Sequence, residues 1–109
     1  MRIRKTNVYK RWIKKLKDTK AKYRIFARIS RLEEGNRGDW GPVGNNLFEL
    51  RINYGPGYRV YCKDTGVEII ILLCGGDKAT QQEDIARAQK IVLEPLDEAE
   101  EGNGKDNRK

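Results

Sequence analysis

The sequence predicts an α+β domain: a small antiparallel sheet with two N-terminal helices on one face and a C-terminal helix. Three observations predict it. Apolar residues recur at helical spacing over residues 7–34 and again after residue 80. Three runs, 47–53, 58–63 and 67–74, are rich in β-branched and aromatic residues and are joined by short turns. The chain has 109 residues, 38% hydrophobic and 36% charged, which allows one modest core, a single layer of sheet against helices rather than two cores.

Residues 1–5 carry the weak signal of a short edge strand. Thr6 or Asn7 can cap a first helix in which Val8, Trp12 and Leu16 recur every four residues. Asp18 caps a second, which runs to about Leu32 or Glu34 and stops at Gly35. Ile25, Ile29 and Leu32 form its buried stripe, and Arg24, Arg28 and Arg31 run beside it, about 100° around the axis. Residues 35–46, "GNRGDWGPVGNN", read as a loop, ordered because Trp40 needs somewhere to pack.

The three strands then form an antiparallel meander. If the first hairpin pairs odd residues with odd, Leu50, Ile52, Val60 and Cys62 face the helices. Glu49, Arg51, Asn53, Arg59, Tyr61 and Lys63 fall on the opposite, open face. The run "VEIIILLC" is apolar on both faces after Glu68, as a central strand is. Gly75 and Gly76 read as a turn, and Thr80 to Glu83 as a capping box for a helix with Ile85, Ala88 and Val92 inside, ending before Pro95. Residues 1–96 form the domain. Residues 97–109, without an apolar run, are expected to be a disordered charged tail.

No segment approaches the roughly 18 apolar residues of a membrane span, and the basic N-terminus lacks the apolar run of a signal peptide. The expectation is a cytoplasmic protein. Cys62 and Cys74 are the only cysteines, and the hairpin around residues 64–66 puts them too far apart for a bridge. Without a histidine they make a poor zinc site, so no metal or cofactor is expected.

Charge is concentrated. Residues 1–40 hold fourteen Lys and Arg against four Asp and Glu, a surplus of ten, whereas residues 41–96 hold six against seven. Such a surplus points to a polyanionic partner. Lys14, Lys17, Arg24, Arg28 and Arg31 are the candidates for docking such a polyanion, a nucleic acid. On the sheet, Arg51 and Arg59 share the open face with Tyr61, and Lys78 stands where the last strand enters the capped helix, whose free N–H groups favour phosphate. Together they describe a site for phosphate oxygens.

The run "RISRLEEGNRGDWGPVGNNLFELRINYGPGYRVYC", followed by "GGDKATQQEDI", resembles the addiction-module killer proteins, HigB-like members of the RelE/ParE toxin superfamily. The resemblance covers nearly all of residues 3–95. It implies the RelE-like fold and the toxin of a type II toxin–antitoxin system, with a HigA-like helix-turn-helix antitoxin as partner. RelE-like members cleave mRNA in the ribosomal A site and leave a 2′,3′-cyclic phosphate. By position, Arg51 matches the first-strand cation, Arg59 the Arg of the "GYR" motif, and Lys78 the cation after the last strand. Three departures stand out: Gly41 replaces a Lys before "PVG", Ala79 replaces a serine, and no tyrosine follows Lys78.

In such a reaction the 2′-oxygen loses a proton, the phosphorane needs cations, and the 5′-oxygen gains a proton. Lys78 or Tyr61 is expected as base, with Arg51 and Arg59 on the phosphorane. A ParE-like gyrase poison without nuclease activity is the alternative, and a passive RNA-binding domain ranks third.

Overall fold

The computed structural model describes residues 1–93 and is an α+β structure. The elements run β1 (Arg2–Lys5), α1 (Asn7–Lys15), α2 (Thr19–Glu33), β2 (Trp40–Gly44), β3 (Leu47–Ile52), β4 (Tyr58–Asp64) and β5 (Ile69–Asp77). A 3-10 turn (Lys78–Thr80) then leads into α3 (Gln81–Leu93). The expected tail and the stop at Pro95 lie outside the described residues.

The five strands form one sheet in the order β1-β5-β4-β3-β2. β3, β4 and β5 are the expected meander, and β3 pairs with β4 odd to odd, Arg51 opposite Arg59 and Glu49 opposite Tyr61. β1 is an edge strand, parallel to β5. The other edge, β2, falls within the stretch expected to be a loop. It joins β3 through Asn45 and Asn46, at φ 55° and 63°. Positive φ at both central residues gives the turn the twist that the flanking strands need, and asparagine tolerates it.

Local chemistry sets the helix starts. The Thr6 hydroxyl accepts from the Tyr9 N–H and donates to the Leu73 carbonyl, at 3.1 and 2.6 Å, which caps α1 and ties it to β5. The Asp18 carboxylate accepts from the Ala21 N–H at 3.1 Å and caps α2. The start of α3 differs from expectation. Asp77 caps the 3-10 turn that leads into it, accepting from the Ala79 N–H at 2.9 Å, while the Thr80 hydroxyl donates to Asp84 at 2.5 Å.

The sheet is covered on both sides, which corrects the expectation of a single core. Tyr9, Ile25, Ile29 and Leu32 pack on Phe48, Leu50, Val60, Cys62 and Leu72. On the other face Ala88 of α3, with Ile85 and Val92, packs on Leu47, Tyr61, Ile71, Leu73 and Cys74. The face assigned to solvent therefore carries α3. Cys62 and Cys74 are free and buried, one in each core. It is the sheet between them that separates them, since their ladder partners, Leu72 and Tyr61, place them close along the strands.

Gly75 and Gly76 belong to β5 rather than to a turn, paired with Val60 and Arg59. A Cβ on Gly75 would lie 2.4 Å from the Trp12 ring, and one on Gly76 1.9 Å from an Asp84 oxygen. The two missing side chains let α1 and α3 approach β5 from opposite sides.

Arg28 is also reassigned. Expected on a docking surface, it is buried. It donates to the carbonyls of Arg37 and Asp39 at 2.7 and 2.9 Å, and to that of Arg51. Desolvation, then the neighbouring Arg31, lowers its pKa. The helical Arg stripe is thus split, with its middle member pinning residues 37–39 to the end of β3.

Two measurements check this packing. Gly75→Ala should destabilise the protein by about 1–3 kcal/mol, read from urea unfolding with unchanged slope, and Trp12→Leu should make that substitution less costly. Arg28→Met, which strips a charged donor from three carbonyls, should cost about 1.5–3 kcal/mol. A thermal midpoint equal to that of the parent would show that Arg28 is not a clamp.

Candidate active site

The strand register projects Glu49, Arg51 and Arg59 from the α3 side of the sheet. Glu49 is 2% exposed, and its carboxylate gathers the site. Oε2 accepts from Arg59 at 2.7 Å and from Arg51 at 3.1 Å, and Oε1 accepts from the Gln81 amide of α3 at 3.1 Å. Two arginines and the first residue of a helix therefore converge on one carboxylate.

The two arginines differ in access. The Arg59 side chain is 14% exposed and that of Arg51 37%. Arg51 reaches across β2, donating to the Asp39 carboxylate at 3.2 Å and to the Trp40 carbonyl at 3.3 Å. Its pKa is raised by the hydrogen bonds to Glu49 and Asp39. The Asp39 pKa is lowered, first by the Asn53 amide, 3.1 Å away, and then by Arg51. Gly41 makes this reach possible, because a Cβ there would stand 2.2 Å from the Arg51 guanidinium. The glycine that departs from the family pattern is thus matched to the posture of Arg51.

Lys78 is exposed at the start of the turn before α3. Its N–H donates to the Gly57 carbonyl at 2.7 Å, which holds the β3–β4 loop against the end of β5. Its side chain makes no hydrogen bond or ion pair with the Glu49 cluster among the described residues; it shares with that cluster only the stretch of chain that leads to Gln81. The phosphate-binding role expected of this helix start is not supported, because the Asp77 carboxylate already occupies it.

Tyr61 does not belong to the site. It is fully buried beneath α3, and its hydroxyl has no hydrogen-bond partner. Burial, then the negative charge of Glu49, pushes its pKa well above the usual phenol value. A phenol that is closed to solvent and held protonated is no general base. The expectation failed because alternation along β4 gives the face of Tyr61, not what covers that face.

Of the helical cations, Lys14 lies in the last turn of α1 and Lys17 in the linker to α2, both exposed. Arg24 and Arg31 are exposed on α2 and line a groove that Arg51 and Asn53 also line. Docking and chemical cations, expected on separate faces, meet there. Sequence reasoning missed Glu49. Its signal was available: an acidic residue inside an apolar strand, directly across from Tyr61 and two residues from each neighbouring arginine in the ladder.

Residues 11–103 match the family "Phage derived protein Gp49-like (DUF891)". The chain is also 48% identical over 94 residues to a Haemophilus influenzae protein described as an uncharacterized protein, covering 86% of this chain and 95% of that one. No solved structure matches it. Among the described residues no helix is long and apolar enough to cross a membrane. The family is toxin–antitoxin-related and lies in the RelE/HigB-type toxin group, and this chain belongs to it.

Proposed function

We propose that the protein is the toxin of a type II toxin–antitoxin pair and a metal-independent endoribonuclease that cuts messenger RNA on the 70S ribosome. Its partner in this reading is a HigA-like helix-turn-helix antitoxin, and its place of action is the cytoplasm. The observation that carries the reading is the Glu49 oxygen shared by Arg51 and Arg59. Two guanidinium groups are already arranged around one anionic oxygen, and a phosphodiester oxygen is an equivalent acceptor for them. Such preorganised donors act on a transition state without reorganising at the moment of reaction.

The steps follow from exchange of acceptors. A scissile phosphate draws Arg59 and Arg51 onto its non-bridging oxygens and frees Glu49 Oε2 from two donors. The freed carboxylate takes the proton of the 2′-hydroxyl, whose oxygen attacks phosphorus. The bond to the 5′-oxygen breaks as Lys78 supplies that oxygen with a proton. The products are a 2′,3′-cyclic phosphate and a 5′-hydroxyl. Glu49 thereby replaces Tyr61 in the role of base, and Lys78 takes the acid step.

Induction of the protein followed by mapping of new mRNA 5′ ends should give cuts in register with the reading frame and only in translated messages. Continued translation with accumulating DNA breaks would overturn this in favour of gyrase poisoning. Arg59→Ala should lower the single-turnover cleavage rate by about 10²–10³-fold in a protein that still folds. Glu49→Gln should lose about 10²–10⁴-fold in rate. It should also cost roughly 3 kcal/mol in stability by leaving Arg59 without its counter-charge. The double variant Glu49→Gln/Arg59→Gln should recover part of that stability and none of the rate.

A further inference from the structure

The groove between α2 and the end of β3 is lined by two exposed arginines, Arg24 and Arg31, that the catalytic arrangement does not use. Arg24, Ala27, Arg28 and Arg31 fall on one stripe of α2, at positions i, i+3, i+4 and i+7. Arg24, Ala27, Arg28 and Arg31 line the groove from α2, and Arg51, Ile52 and Asn53 line it from the end of β3. Seven residues separate Arg24 from Arg31, about 10 Å along the helix axis.

The state of each charged group decides what this space can take. Arg28 is held by three carbonyls and presents little of its charge. Asp39, the one carboxylate in the lining, is already bonded to Asn53 and Arg51. Arg24 lies over the Tyr54 ring, 4.6 Å from its centroid, a contact that orients the guanidinium without neutralising it. Among the described residues neither Arg24 nor Arg31 has a carboxylate within ion-pair distance. Two guanidinium groups without a carboxylate partner, one of them oriented by Tyr54, thus line a groove that Arg51, a partner of Glu49, also lines.

We infer that this groove is a second phosphate subsite, in which Arg24 and Arg31 hold the phosphodiester neighbouring the one at Arg51 and Arg59. The inference rests on the nuclease reading only for the identity of the adjoining site. Its ligand class is a single-stranded ribonucleotide chain. The α2 arginines therefore set the register of the strand on the chemical cluster, rather than docking a separate surface.

The test uses 2′-O-methyl oligouridylates of two to five nucleotides, which lack the attacking hydroxyl, bound to the full chain and followed by calorimetry. With the parent, adding the phosphate that reaches the groove should tighten binding about tenfold and steepen the salt dependence by about 0.7 in log–log slope. Arg24→Gln/Arg31→Gln should abolish that step in both affinity and slope, and Arg24→Lys/Arg31→Lys should keep the slope. Arg87→Gln/Lys90→Gln, which removes two exposed charges from α3, should leave the step in place. The inference is overturned if the Gln pair keeps the step, if the α3 pair loses it equally, or if the parent binds none of the oligonucleotides. Messages left uncut while the step is present would sink the nuclease reading and leave the subsite standing. Messages cut in frame without any step would do the reverse.

Discussion

A carboxylate taken out of water costs several kcal/mol unless donors replace its hydration, and Glu49 has three. They come from three different elements: Arg51 of β3, Arg59 of β4 and Gln81 of α3. Each donor brings a requirement of its own. Arg51 must lie over β2, which only a glycine at position 41 permits. Gln81 must start its helix above the sheet, which calls for the Asp77 cap and for α3 to sit close on β5. That closeness in turn requires Gly76 beneath Asp84. This buried carboxylate thus ties together two glycines, one helix start and the side of the sheet on which α3 docks.

The same pairing explains how a site without histidine holds its cations ready. Arg51 and Arg59 stand opposite each other on adjacent strands, where like charges repel. Glu49 is the counter-ion that lets them share one face. In the proposed reaction a ligand that offers phosphate oxygens would substitute for that counter-ion, so binding would exchange one anion for another instead of ordering two loose side chains. The entropy of arranging the donors is spent on folding rather than on association.

Much of this was legible in the sequence, and the failures have a common physical origin. Period-two alternation gave the odd-to-odd register of β3 and β4, and side-chain oxygens at Thr6 and Asp18 gave two helix starts. Both signals are local. What covers a face is not local, and alternation along a strand is silent about it. Tyr61 was placed on open sheet although the apolar stripe Ile85, Ala88 and Val92 had to cover something, and the two-sided apolar run of β5 had room for it. Gly75 and Gly76 looked like a turn because glycine breaks strands, but here they vacate space for Trp12 and Asp84. β2 hid in a glycine-rich stretch whose composition disfavours strands, although Asn45-Asn46 carried the chemistry of a hairpin turn.

Charge counting failed in an instructive way. The surplus of ten in residues 1–40 treats every cation as surface, yet the fold consumes several. Arg28 is spent on backbone carbonyls. Arg37 is bonded to Asp64 at 2.8 Å and lies over Phe48 and Trp40, 4.0 and 4.6 Å from their ring centroids. The exposed cations are a narrower set, and two of them on α2, Arg24 and Arg31, line one groove with Arg51. A guanidinium spaced at i+4 on an exposed-looking stripe can be a docking group or a clamp with equal periodicity. Only the carbonyls waiting at the end of β3 distinguish them, and those belong to residues that fold back from outside the helix.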